Sequence, residues 1–197
     1  MPFLEPVTLT GDLVTLEPLQ DAHHDELVRA ASDIRLWELW YTSVPSPESM
    51  RADLADKLAR QAAGEALPFT VRRTDTGAVV GMTTYLNVEA EVPRLEIGST
   101  WTAASAQRTG VNAESKLLLL THAFETWDCA RVALRADARN ARSIAAIRRL
   151  GAVPEGVLRS HRLAPDGSRG DSAYFSILPE EWPAVRAGLV ARLSGDA

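Results

Sequence analysis

Residues 13–18, Leu-Val-Thr-Leu-Glu-Pro, alternate apolar and polar positions and carry β-branched side chains, which predicts a strand. Helical spacing follows from about Asp21 to Ala31, and then a short tryptophan-rich stretch runs from Leu36 to Tyr41. Pro45 and Pro47 break that stretch, and Pro47 is placed for the first turn of a helix reaching Ala63, with Gly64 as its stop. Phe69–Arg73 and Ala78–Asn87 read as two strands joined by Asp75-Thr76-Gly77, a hairpin turn. Pro93 opens a further strand, Arg94–Trp101, and the small, polar residues 102–111 form a loop.

The second half continues with a helix from about Asn112 to Trp127. Leu117, Leu120 and Phe124 share one of its faces, and Leu118 and Leu119 widen it, so it is expected to be largely buried. Arg131–Ala136 is a short strand, and Asn140 is placed to cap a helix ending at Leu150-Gly151. Strands around Val157–Leu163 and Ala173–Leu178 flank the turn Pro165-Asp166-Gly167, and Pro179–Leu193 closes the chain as a helix. The order β-α-α-β-β-β-α-β-α-β-β-α predicts an α/β (α+β) fold. A strand–helix–strand unit in its middle requires at least one parallel pair in an otherwise antiparallel sheet.

Composition fits one soluble globular domain over 1–197: 46% hydrophobic, 24% charged, without repeat or low-complexity tract. The single cysteine, Cys129, excludes an intramolecular disulfide and a multi-cysteine zinc site, and before a strand it reads as a small buried apolar residue. No run approaches the roughly 18 apolar residues that span a membrane. The N-terminus lacks signal-peptide character, so a cytoplasmic location is expected. The net charge of −5 argues against a nucleic-acid-coating protein. It hides an asymmetry: residues 1–68 carry −7 and residues 131–169 carry +6, with nine arginines. These are two solvated faces, or else an acidic face for a cationic substrate and a basic one for phosphates.

Phosphate-loop, nucleophile-elbow and His-Glu-x-x-His signatures are absent. His23 and His24 point about 100° apart on a helix and so are not expected to share a metal ion. The informative segment is Gln107-Arg108-Thr109-Gly110-Val111-Asn112. It leaves a strand and opens a helix, whose free N–H groups and partial positive charge suit a phosphate, and Gly110 permits close backbone approach.

In that setting the segment resembles the acyl-CoA loop of the GNAT superfamily of N-acetyltransferases, Gln/Arg-x-x-Gly-x-Gly/Ala. Gln107 and Gly110 match, and Asn112 stands where that pattern has a small residue. Asn140-Ala141-Arg142-Ser143 with Leu150-Gly151 and Glu155-Gly156 is similar to a second element of the superfamily, found in its ribosomal-protein N-acetyltransferase branch, with Ala152 in place of Phe. The resemblance covers nearly the whole chain. It implies a mostly antiparallel central sheet with one splayed parallel strand pair and helices on both faces.

The resemblance also implies roles. Acetyl-CoA would lie between Arg94–Trp101 and Arg131–Ala136, its pantetheine along Ile97, Gly98 and Ser99. Its pyrophosphate would meet Gln107, Arg108, Thr109, Gly110, Val111 and Asn112, with Asn140 and Ser143 on the far side and no metal. A protonated amine, with a pKa of about 10, needs a base before it can attack a thioester. Glu96, on the strand beside the thioester, is the candidate base, directly or through water. By resemblance to the ribosomal-protein branch, Ser143 is the candidate acid; the tyrosine that many members use as acid has no counterpart here, Tyr41, Tyr85 and Tyr174 all lying outside that region. Trp37, Trp40 and Tyr41 are expected to wall the acceptor pocket. The acceptor is a protein N-terminus or an amine-bearing small molecule, and ribosome contact and a homodimer stay open. A second reading, motivated by Asn112, Ala152 and the missing tyrosine, is a non-catalytic acyl-CoA-binding module.

Overall fold

The structure, a computed structural model, describes residues 5–38, 44–163 and 167–195. Eight strands form one sheet: β1 (Leu9–Thr10), β2 (Val14–Pro18), β3 (Ala66–Arg73), β4 (Val79–Glu89), β5 (Arg94–Thr102), β6 (Arg131–Asp137), β7 (Val153–Leu163) and β8 (Arg169–Ile177). Their spatial order is β1-β2-β3-β4-β5-β6-β8-β7. Helices α1 (His24–Ala31), α2 (Met50–Ala62), α3 (Val111–Thr121), α4 (Ala141–Arg149) and α5 (Trp182–Ser194) complete the fold.

Neighbouring strands are antiparallel except β5 and β6, the parallel pair the middle of the chain requires. That pair is brief. Arg94, Leu95 and Glu96 oppose Arg131, Val132 and Ala133, and beyond Glu96 the two strands part company. A bulge in β5 accompanies the splay: the register against β4 slips between Met82 and Thr84, opposite Ser99 and Thr100, and Ser99 has φ +45°. From Ile97 onward the inner edge of β5 has no ladder partner in β6.

The sheet has two distinct faces, because successive strand residues point to opposite sides. Thr70 faces the α1 side, where His23 Nδ1 meets its hydroxyl at 2.8 Å. Phe69, Thr83 and Tyr85 face α3, and the buried Tyr85 hydroxyl donates to the Leu119 carbonyl at 2.6 Å. One continuous cluster of buried apolar residues runs from Val14 to Leu189.

Several boundaries differ from the sequence pattern. Pro47 lies in a turn before α2, which starts at Met50. Strand β3 begins at Ala66 and runs through Pro68, whose carbonyl still accepts from the Leu19 N–H at 2.9 Å. Strands β7 and β8 begin four residues earlier than expected, β7 running as an exposed edge. The turn residues Pro165 and Asp166 lie outside the described residues. Helix α3 passes into a π turn, His122–Thr126, before reaching Trp127. Its buried face keeps Leu119, Leu120 and Phe124 of the expected stripe, but Leu117 and Leu118 are half-buried and Glu114, Ser115 and Lys116 are buried as well.

Candidate active site

Glu96 sits at the root of the splay, at the last paired rung of β5 and β6. It is only 3% exposed, on the face that bears α1 and α2. Asn87 Nδ2 donates to its Oε2 at 3.0 Å, and Arg135 Nε lies 2.8 Å from Oε1. The arginine contact balances the carboxylate's charge, but its N–H is not aligned on the oxygen, so Oε1 keeps an unfilled acceptor position. Gly98 packs closely against this carboxylate, since a Cβ there would come within 3.0 Å of Oε1 and 2.9 Å of Leu86 Cδ1. Arg135 also reaches the Tyr174 hydroxyl at 3.3 Å, across the β6–β8 rung that pairs them.

At the other end of the splay, Gln107 Nε2 donates to the Thr102 carbonyl at 3.0 Å and fixes the loop as it leaves β5. Thr109 Oγ1 closes a turn onto the Ala106 carbonyl at 2.6 Å. Gly110 caps α3 at φ +87°, a conformation that favours glycine, and a Cβ there would also press on the end of the Leu13 side chain, Cδ1 at 2.8 Å. Asn112 does not cap the helix but lies exposed inside its first turn. The first intrahelical N–H is that of Glu114, donated to Gly110. The N–H groups of Gly110, Val111, Asn112 and Ala113 thus have no acceptor within the helix. Arg108, at φ +64°, is exposed beside them.

Helix α4 brings the second motif to the same end. Buried Asn140 caps it by accepting the Ser143 N–H at 3.0 Å, and Ser143 is half-buried one turn in. Arg142 Nη2 donates to Gln107 Oε1 at 2.5 Å and so bridges the two helix N-termini. Trp37 packs half-buried against the core under the Arg35 guanidinium, 5.9 Å from its ring centre. Asp33 ties that segment to the loop before α3 by accepting the Ser105 N–H at 2.6 Å. Trp40 and Tyr41 lie outside the described residues. Cys129 is buried, and burial pushes its thiol up to about 12, the opposite of an activated nucleophile.

Residues 14–153 match the acetyltransferase (GNAT) domain family. The chain belongs to that GNAT family. Within it, the chain is 33% identical over 106 residues to a Bacillus subtilis (strain 168) protein named "Putative ribosomal N-acetyltransferase YdaF". That match takes in 54% of this chain and spans 57% of the relative's length. A "putative acetyltransferase" from T. thermophilus is 37% identical, with TM-score 0.82 over 96% of this chain and 98% of that one. A GCN5-related N-acetyltransferase from Brucella melitensis is 28% identical, with TM-score 0.82 over 98% and 87% of the two chains. Over those lengths the chain shares the fold of these acetyltransferase structures.

Residue pattern alone missed four side chains that this GNAT domain brings to the splayed strands. Asn87 and Arg135 engage Glu96, and Tyr174, set aside for its distance along the chain, reaches Arg135 through the β6–β8 pairing. The fourth is Lys116, buried behind the β5 bulge. Its signal was its place on α3, in helical phase with Ala113 and Leu120.

Proposed function

We propose that the protein is an acetyl-CoA-dependent N-acetyltransferase that acetylates a primary amine, a protein N-terminus or a small molecule. One observation carries the reading: a buried carboxylate stands where β5 and β6 part, and the α3 N-terminus stands at the other end of the same opening. The residues present fit an acyl-CoA. The unpaired inner edge of residues 97–99 offers backbone groups to an amide-rich arm. The N–H groups from Gly110 onward suit a pyrophosphate, together with Gln107, Arg108, Thr109, Val111 and Asn112. Asn140 and Ser143 close the far side. When bound, acetyl-CoA supplies an acetyl group activated as a thioester, whose thiol, with a pKa of about 8.5, leaves readily.

The chain's own residues then have to handle the two protons of the ammonium and one developing negative charge. Glu96 accepts the first proton of the incoming ammonium, directly or through a water. A backbone N–H at Ile97 or Gly98 faces the oxyanion, which a fixed dipole stabilises better than mobile water does. Ser143 protonates the leaving sulfur and recovers its own proton from the attacking nitrogen, which sheds its second proton as the amide forms. Trp37, Trp40 and Tyr41 would wall the acceptor side, with Trp37 packed against the core under Arg35.

Release of free thiol from acetyl-CoA in the presence of an amine panel tests the reading, and a chain that does not bind acetyl-CoA in calorimetry overturns it. Glu96→Gln should lower kcat by about 100-fold, the weight of one general base, and leave CoA affinity within twofold. A second reading rests on the engagement of Glu96 by Arg135 and Asn87: a domain that binds acyl-CoA and turns nothing over. It predicts CoA binding with no thiol release for any amine, in the native chain and the Glu96→Gln variant alike.

A further inference from the structure

Lys116 is a buried lysine. It is 5% exposed on the sheet-facing side of α3. Among the described residues no carboxylate is paired with it, and its Nζ donates instead to Thr100 Oγ1 at 3.0 Å and Thr83 Oγ1 at 3.4 Å. Those two hydroxyls lie 2.8 Å apart, and Thr100 Oγ1 in turn lies 3.3 Å from the Gly98 carbonyl. Thr100 belongs to the β5 bulge, next to Ser99 at φ +45°, a backbone conformation that a non-glycine residue holds only when its surroundings impose it.

An apolar side chain of similar length would suit this place better on stability grounds alone. A buried ammonium gives up its hydration, and neutral hydroxyls return only part of it. The neighbouring contacts say what is gained. The lysine crosses from α3 to the one point where β5 departs from regular pairing, and that point begins the strand edge that lies open beyond Glu96.

We propose that Lys116 is a positioning residue: through the Thr100 and Thr83 hydroxyls it clamps α3 to the β5 bulge and keeps the inner edge of residues 97–102 turned toward the acyl donor. The assignment rests on the acyltransfer reading for its purpose, and on the geometry of the bulge for its substance. Burial pushes the Lys116 amine down to about 7, in keeping with a side chain held for its contacts at the expense of its hydration.

Hydrogen–deuterium exchange on the full chain, native against Lys116→Met, reads the bulge directly. Amides of residues 97–102 should exchange about tenfold faster in the variant, with α4 unchanged and the melting temperature no lower than native. With acetyl-CoA saturating, kcat should fall about tenfold or more, the scale of a displaced reacting group. Thr100→Val should reproduce both effects and Thr100→Ser should spare them. A Lys116→Met chain that fails to fold, or that exchanges residues 97–102 at the native rate, overturns the proposal. So does a variant whose kcat stays within twofold of an active native protein. A native chain that neither binds nor cleaves acetyl-CoA removes the acyltransfer reading, while the exchange comparison still decides whether Lys116 holds the bulge.

Discussion

Two buried ionisable side chains flank β5, and they are compensated in different ways. Glu96 has a cation and an amide against it; Lys116 has only hydroxyls. The difference has a pH signature. The unfolded Lys116 side chain titrates near its ordinary value of 10.5, whereas burial lowers the folded one to about 7. Between those values the unfolded chain holds a proton that the folded chain has released, so unfolding free energy rises with pH across that window. Below about pH 7 both states are protonated, and the full burden of the buried ammonium is present. The melting temperature of the native chain relative to Lys116→Met should therefore climb from pH 7 to pH 9.5, and scanning calorimetry on the pair isolates this group from every other titration. A difference flat with pH would show that the lysine amine is not desolvated. Neither residue's state is legible from residue type: Glu96 stands out for its strand, but its partners come from β4 and β6, and such pairings form only when the sheet does.

Among the elements, α3 does the most to place the site, and its polar face explains why sequence pattern reveals only half of it. A leucine-rich run marks a buried helix, which is correct. Which face turns inward depends on Glu114, whose carboxylate accepts the N–H groups of Asp12, Leu13 and Val14 at 2.9, 2.7 and 2.7 Å. This carboxylate fixes the start of β2 to the helix from about a hundred residues away in sequence, a contact that no local pattern encodes. Glu114→Ala leaves three donors short and should cost about 3 kcal/mol in urea unfolding, with Glu114→Gln costing less. Gly110 carries the other constraint. Alanine there must hold φ +87° and push against Leu13, so Gly110→Ala should cost about 1–3 kcal/mol and weaken CoA binding, both read by calorimetry on one sample. The strands are legible by alternation, and the hairpin by Gly77. Strand β7 reads short because Pro154 and Gly156 disguise its first residues, which pair with β8 around a bulge.

Over the whole molecule, the two opposed charge blocks resolve differently once folded. Much of the acidic first third is matched internally: Glu17 and Glu26 share Arg72, and Asp53 pairs with Lys57. An acidic face offered to a cationic acceptor is correspondingly reduced. The arginine-rich block is only partly matched, by Asp137 with Arg139 and Arg162, by Glu155 with Arg131 and by Glu96 with Arg135. Arg142 is left beside Gln107 at the mouth of the splay, with Arg108 exposed on the facing loop. If phosphates bind at that end, their affinity carries an ionic component that salt screens over about 10 Å at 0.1 M. The dissociation constant for CoA should then rise with sodium chloride, and Arg142→Gln should weaken binding at low salt about fivefold, the equivalent of roughly 1 kcal/mol, while flattening the salt slope. The variant keeps its place in α4, because Asn140 still caps that helix. A slope that Arg142→Gln does not change would move the phosphates off this end of the molecule, and with them the reading of the Gln107–Asn112 loop, while leaving Glu96 and the splayed strands where they are.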